Sequence, residues 1–251
     1  GNLLAKLLLW TDLNDFTKLL QDIFKDRFAG LLHSINDETG DRTLATAGSS
    51  ELIAGEDKIV EELLGLNFEI SMKSFFQTNP KSAEKLYSKV IDYALENKDA
   101  IDNTVVMDLF CGTGTIGQIL ASRSTNAKII GVDIVASAIK DAIKNAKRNN
   151  IDGLQFYAAD VGKFINEHPE YKNKIRTIIL DPSRAGIAPK TLLKIIAINA
   201  DRIIYVSCNP ATQARDTEEM MKHGYQIKKI SLVDQFPHTS HIETVVLFEK
   251  I

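Results

Sequence analysis

The chain has 251 residues, 44% of them hydrophobic and 25% charged, enough for one full core with a smaller unit beside it. Its net charge of -3 leaves no overall electrostatic footprint for nucleic acid, so a basic surface for such a partner is expected to be local or to lie on a part outside this sequence. Two cysteines, Cys111 and Cys208, exclude a disulfide framework and any four-cysteine metal cluster within the chain, and point to the reducing cytoplasm.

Residues 1–74 read as a small α+β unit. Residues 3–9 form a strand-like run, and the apolar stretch there is too short, and too soon broken by Lys6, for a signal peptide or a membrane span. Beginning on Gly1 and entering that run almost at once, the sequence reads as a piece of a longer protein. Residues 15–27 carry Phe16, Leu19, Leu20, Ile23 and Phe24 at helical spacing, and strand-like runs follow at 30–35, 43–47 and 67–71, separated by Asn, Asp and Gly turns. Residues 75–251 then alternate strictly. Helices are predicted over 82–97, 115–122, 136–149, 161–167, 189–199 and 211–223, with strands over 104–109, 128–132, 154–158, 176–180 and 202–206. Two strand-like runs, 226–233 and 243–249, close the chain without a helix between them and imply one antiparallel strand at the edge. Repeated βα units imply a parallel sheet with helices on both faces, an α/β class. Seven strands ending in such a pair resemble the Rossmann-like fold of S-adenosylmethionine-dependent methyltransferases. Lys140, Lys144, Lys147 and Arg148 make one helix basic on its outer face, which is ordinary for a solvated helix covering a sheet.

The first loop after a predicted strand is rich in glycine. Within Asp108-Leu109-Phe110-Cys111-Gly112-Thr113-Gly114-Thr115-Ile116-Gly117, the glycines 112, 114 and 117 fit G-x-G-x-x-G, which allows a tight turn and close approach of a ligand to the backbone. Asp133 ends the next strand about twenty residues on, where a carboxylate can bind both ribose hydroxyls. The loop alone does not separate a nicotinamide cofactor from S-adenosylmethionine. Asp108 just before it and Asp160 at the end of the third strand, beside the adenine, lean toward the latter. Cys111 reads as a small buried thiol.

In doubly wound sheets, ligands bind beyond the carboxyl ends of the strands. The alternation places three motifs there: Asp181-Pro182-Ser183-Arg184-Ala185-Gly186, Ser207-Cys208-Asn209-Pro210, and the run Asp234 to Glu243 that includes His238 and His241. With Phe75-Phe76-Gln77-Thr78-Asn79-Pro80, Ala211-Thr212 and Arg215-Asp216 they resemble the RNA uracil-C5 methyltransferases, the family that makes 5-methyluridine. The resemblance spans about residues 75–248, and His238-Thr239-Ser240-His241-Ile242-Glu243 is closer to the 23S ribosomal-RNA members than to the transfer-RNA enzyme.

The resemblance implies a chemistry. Uracil C5 is a poor nucleophile until a thiolate adds at C6, and Cys208 matches that thiol. Glu243 matches the base that removes the C5 proton so that the thiol can leave. Asp181 and Gln77 match residues at the junction of cofactor and uracil. Phe110, Gly112, Gly114, Thr115, Asp133 and Asp160 match cofactor contacts, and the implied cofactor is S-adenosyl-L-methionine. The target base must be flipped out of its stack. The chain departs from the family at Ser183, where a second proline is common and whose absence would loosen the loop of Asp181, and at Thr115, where some members carry Asn. Neither an N-terminal oligonucleotide-binding domain nor a four-cysteine iron–sulfur site fits in the chain, so the isolated piece is expected to be weakly active. RNA is the implied partner, ribosomal before transfer RNA, for a cytoplasmic monomer without membrane or metal cluster.

Two readings compete. A nicotinamide oxidoreductase with a catalytic cysteine would leave Glu243 and the Asp181 motif without a role. A non-catalytic RNA-binding module would have no need of Cys208 and Glu243 together.

Overall fold

Proline at the first position of a helix gives up an N–H that has no partner there anyway, and two Asn-Pro pairs start helices this way in the computed structural model. The structure describes residues 13–34, 50–71, 76–96, 104–124 and 126–251. The strand-like runs at 3–9 and 43–47, and Phe75, lie outside them. The chain divides into two units, one of residues 1–60 and 69–73, the other of residues 61–68 and 74–251.

In the first unit, α1 (Leu13–Phe24) runs into a 3-10 turn, Lys25–Arg27. Leu19, Ile23 and Phe24, on the apolar face that the periodicity marks, are exposed. Strand β1 (Gly30–Ser34) pairs antiparallel with β2 (Ser50–Gly55), which the sequence pattern did not single out. A second hairpin, β3 (Lys58–Leu63) and β4 (Leu66–Ser71), crosses the division between the units. Its two-residue turn, Leu64-Gly65, has φ of 52° and 84°, as a type I′ turn requires. Leucine is a poor signal for that conformation, so β3 was missed. The Leu64 N–H donates to Glu84 Oε1 at 2.9 Å.

The second unit holds the alternation. Helix α2 (Pro80–Leu95) is capped by Asn79, whose Oδ1 accepts from Ser82 N at 3.3 Å. Then come β5 (Val105–Leu109), α3 (Thr115–Arg123), β6 (Lys128–Asp133), α4 (Ala136–Arg148), β7 (Leu154–Ala158), α5 (Val161–Glu167), β8 (Ile175–Leu180), α6 (Pro189–Ala197) and β9 (Arg202–Ser207). Helix α7 (Pro210–Lys222), capped by Asn209, and the strands β10 (Tyr225–Val233) and β11 (Glu243–Lys250) complete it. Both Asn-Pro helices begin one or two residues earlier than their apolar period suggests, because Pro occupies the first turn.

The seven strands are ordered β10-β11-β9-β8-β5-β6-β7. The pairs from β9 through β7 are parallel, and β11 runs antiparallel to both β9 and β10. The antiparallel strand is therefore inserted one place in from the edge, and β10, from the same hairpin, is the edge strand. Residues alternate between two apolar layers as the strand period demands. Val106, Ile179, Ile204 and Val245 share a core with Leu86 and Val90 of α2 and Ile119 of α3. Met107, Ile178, Ile203 and Val246 face Phe164 of α5, Ile195 of α6 and Met220 of α7. From β5 the chain steps outward through β6 and β7, then restarts on the other side at β8. That reversal between β5 and β8 opens the crevice in which doubly wound sheets bind ligands.

Candidate active site

The glycine loop is shaped by backbone geometry. Phe110, Gly112 and Gly114 have φ of 62°, 53° and 69°. The Gly112 N–H donates to Asp133 Oδ2 at 2.9 Å, and Val135 N–H donates to Oδ1 at 2.8 Å, so the acid at the end of β6 is held from both sides. A Cβ on Gly112 would meet nothing within 4 Å, which leaves open space along this edge of the loop. On Gly114 it would stand 2.5 Å from the Phe156 ring, and on Gly117 it would stand 2.9 Å from Asp108 Oδ2. Gly117 thus lets the Asp108 carboxylate reach the start of α3, where its N–H donates to Oδ2 at 3.0 Å. Thr115 is buried with its Oγ1 3.2 Å from that of Thr113. Asp160, exposed, caps α5 by accepting from Lys163 N at 2.8 Å. Burial, followed by the charges of Asp108 and Asp133, pushes the Cys111 thiol well up.

Across the switch point stand the residues of the other motifs. Asp181 follows β8, and Cys208 follows β9. Thr244 pairs with Ser207, so Glu243, the first residue of β11, enters one step further along, beside Cys208. Only the reversed direction of β11 brings the start of a strand to the carboxyl ends of the others. Gln213 secures this register: its Nε2 donates to Tyr205 O at 2.9 Å, and its Oε1 accepts from Thr244 Oγ1 at 2.6 Å.

The loop of Asp181 is tied down despite Ser183. Gly186 N donates to Ser183 O at 2.9 Å, and the Arg184 carbonyl accepts from Asn209 Nδ2 at 3.1 Å and Thr212 Oγ1 at 3.2 Å. Asp216 holds its far end. On the buried face of α7, its Oδ2 accepts from Ile187 N at 2.9 Å and Tyr205 Oη at 2.8 Å, while Arg215 donates to its Oδ1 at 2.7 Å. Arg215 Nη2 also donates to the carbonyls of Ala185 and Ile187.

Electrostatically the crevice is an acid cluster. Burial, then the charges of Glu243, Asp108 and Asp133, raises the Asp181 carboxyl to about 8. Burial raises Asp108 to about 7, with Asp133 adding to it, and its Oδ1 has no hydrogen-bond partner among the described residues. Burial also raises Glu243, against the nearby Arg184 cation. The Cys208 thiol is raised by burial first and Glu243 second, with Arg184 opposing. Arg184 reaches His241, with Nη2 3.1 Å from Nδ1. Gln77 is buried and accepts at Oε1 from Gln235 Nε2 at 3.3 Å.

A family model described as tRNA (Uracil-5-)-methyltransferase matches residues 15–251. The chain belongs to that family. An RNA methyltransferase of Clostridium acetobutylicum is 43% identical over 240 residues, 95% of this chain and 50% of its own. One from Caldanaerobacter subterraneus is 39% identical over 255 residues, 100% of this chain and 54% of its own. The chain thus spans about half the length of these curated relatives. Among solved structures, the Pyrococcus abyssi tRNA (uracil-54, C5)-methyltransferase in complex with S-adenosyl-L-homocysteine matches with a TM-score of 0.68 at 30% identity, over 86% of this chain and 48% of that one. A weaker likeness is that to TYW2 of M. jannaschii, in complex with AdoMet, which has a TM-score of 0.57 at 17% identity over 89% of this chain and 94% of its own, and shares the fold.

Within this uracil-5-methyltransferase family fold, sequence reasoning passed over four side chains. Asp216 stood in a matched motif without a role. Gln235 likewise stood in the run Asp234 to Glu243 without a role, and Tyr87 and Ile134 carried no local signal, although Ile134, apolar and 69% exposed directly after Asp133, breaks the usual burial pattern. Among the described residues no three or more His, Cys, Asp or Glu side chains are grouped to hold a metal ion, and no helix is long and apolar enough to cross a membrane.

Proposed function

We propose that the protein transfers a methyl group from S-adenosyl-L-methionine to C5 of a uridine in structured RNA. The observation that carries this reading is the meeting of Cys208 and Glu243 at the β9–β11 register, beside Asp181. Residues 75–251 would be the catalytic domain and residues 1–74 part of an RNA-facing subdomain, in a cytoplasmic monomer.

The cofactor fits the chain's residues. Four carboxylates, Asp108, Asp133, Asp181 and Glu243, crowd one crevice, and their charges add to the raising of Asp181 and Asp108, a field that favours a cationic ligand. Asp133 would hold the ribose, Ile134 and Asp160 the adenine, and Gly112, Gly114, Phe110 and Thr115 the edge along the loop. When bound, S-adenosyl-L-methionine supplies an electrophilic methyl group to C5.

The chain's residues do the rest. Cys208 Sγ, as thiolate, bonds to uracil C6, and the C5–C6 π electrons move into an enolate at O4, leaving C5 nucleophilic. Once C5 is methylated, the Glu243 carboxylate takes the C5 proton. The electrons of that C–H bond restore C5–C6, the Sγ–C6 bond breaks, and the thiolate leaves. Asp181 and Gln77 hold the amide edge of the base. Because burial and Glu243 keep Cys208 a thiol at rest, nucleophilicity is held back until substrates enter.

Ribosomal RNA is the favoured substrate, on the resemblance of residues 238–243. Transfer RNA is the second reading, favoured by the family's description and the substrate of the P. abyssi protein. The test incubates the full-length protein with S-adenosylmethionine and unmodified 23S ribosomal and transfer RNA transcripts containing 5-fluorouridine. Fluorine cannot leave as a proton does, so a covalent adduct is expected on one of them, and Cys208→Ala should abolish it. No adduct on either RNA, or an adduct that survives Cys208→Ala, overturns the mechanism. Glu243→Gln should accumulate adduct on ordinary RNA.

A further inference from the structure

Gln235 lies in the connection between β10 and β11, fully buried, with a carboxamide that none of the steps above uses. Its Nε2 donates to the Asn79 carbonyl at 3.2 Å and to Gln77 Oε1 at 3.3 Å. Asn79 closes the ring from the other side, its Nδ2 donating to the Gln235 carbonyl at 3.1 Å while its Oδ1 caps α2. Serine 82, on the first turn of that helix, adds a bond from Oγ to the Asp234 carbonyl at 2.8 Å.

These partners settle which way two amides face. A backbone carbonyl only accepts, so the Gln235 amino group must point at Asn79 O. The same amino group meets Gln77, which must answer with its oxygen. Rotating the Gln235 amide would set its oxygen against two other oxygens. The Gln77 amino group is thereby turned to its remaining side, where the buried Tyr87 hydroxyl stands. Burial, then the charges of Asp181 and Glu243, pushes the Tyr87 hydroxyl well up, and Gln77 opposes them in the sense of a donor facing the phenol oxygen.

Uracil and cytosine differ at the edge that such an amide would read. Uracil presents the O4 acceptor, and cytosine presents an N4 amino donor. A glutamine free to rotate serves both, whereas one locked with its amino group forward serves uracil alone. We propose that Gln235 and Tyr87 are positioning residues that lock the Gln77 carboxamide with its donor end toward the target base, and so make the site select uracil over cytosine. This rests on the reading that Gln77 meets the base.

The test uses the full-length protein and the RNA that forms the adduct above, as paired transcripts with 5-fluorouridine or 5-fluorocytidine at the target position. The readout is the ratio of the two adduct rates, which a merely structural role would not move. Gln235→Leu frees the Gln77 amide, and the uridine preference should narrow about tenfold or more, the worth of one base-edge contact. Gln235→Glu replaces the donor by an acceptor, and should cut the uridine rate further and raise the cytidine rate. Tyr87→Phe keeps the ring and removes only the hydroxyl, so it tests the lock even where position 235 tolerates no change; it should narrow the preference in the same direction. S-adenosylmethionine affinity should stay within about twofold in Tyr87→Phe, since a uniform twofold loss is well under the worth of one hydrogen bond. Folded variants that keep the wild-type ratio overturn this inference alone. Failure of the wild type to form an adduct on uridine overturns the function reading, and this inference with it.

Discussion

The two sides of the switch point are built differently. On the β5–β6–β7 side each carboxylate is held by backbone N–H groups from nearby turns: Asp108 by Gly117, Asp133 by Gly112 and Val135, Asp160 by Lys163. On the β8–β9–β11 side the bonds join groups far apart in sequence. Gln235 and Gln77 are 158 residues apart, Arg184 and His241 are 57, and Thr244 and Gln213 are 31. One side is a set of local turns that any βα unit can carry, and the other exists only once the sheet has closed. A cofactor shared by many chemistries suits the first, and a base-specific centre suits the second.

The largest break in this contrast is expected at Asp216. Asp216→Ala leaves the buried donors of Tyr205 and Ile187 unpaired and takes from Arg215 its carboxylate partner, and should cost about 3 kcal/mol of stability. In thermal unfolding that corresponds to a fall of roughly 6–12 °C. A melting temperature equal to that of the parent would show that the Asp181 loop does not hang on this acid.

Asp133→Ala tests the local side. It should weaken S-adenosylmethionine binding by about 10–100-fold, the worth of charge-assisted bonds to a ribose, as read by calorimetry. Unchanged affinity would remove Asp133 from the cofactor site.

The effect expected from Asp181→Asn depends on pH and is smallest near pH 4. The folded protein raises this carboxyl from 3.8 to about 8, so it binds the proton more tightly than the unfolded chain does. That contribution is complete below about pH 4 and is lost as pH rises to about 8. The amide has no proton to lose, so without cofactor the variant should gain on the parent in melting temperature as pH climbs from about 4 to about 8. A constant difference from pH 5 to about pH 9 would mean that Asp181 does not titrate in the folded state over that window.

Legibility followed the same division. The helices and strands of the second unit announced themselves through apolar period, Asn-Pro starts and glycine turns, and each cofactor-loop residue could be named because its partners lie within a turn or the next strand. The hairpin turn at Leu64-Gly65 was hidden, because a leucine with positive φ is held there by a bond from its own N–H to Glu84 on α2. The apolar face of α1 was legible as a pattern, yet Leu19, Ile23 and Phe24 remain exposed. A period marks a face without naming what covers it.

By itself, then, the sequence determined the βα alternation, the glycine loop with its acids, and the candidate pair Cys208 and Glu243. The first two depend on side-chain period and φ preference, which are properties of a residue and its near neighbours, and the pair rests on the family resemblance of the motifs that carry it. Only the tertiary structure decided that β11 enters between β9 and β10, that Asp216 carries the Asp181 loop, and that Gln235 and Tyr87 turn Gln77. Those depend on which buried donor finds which acceptor across the sheet, and the chain's local preferences place no constraint on that.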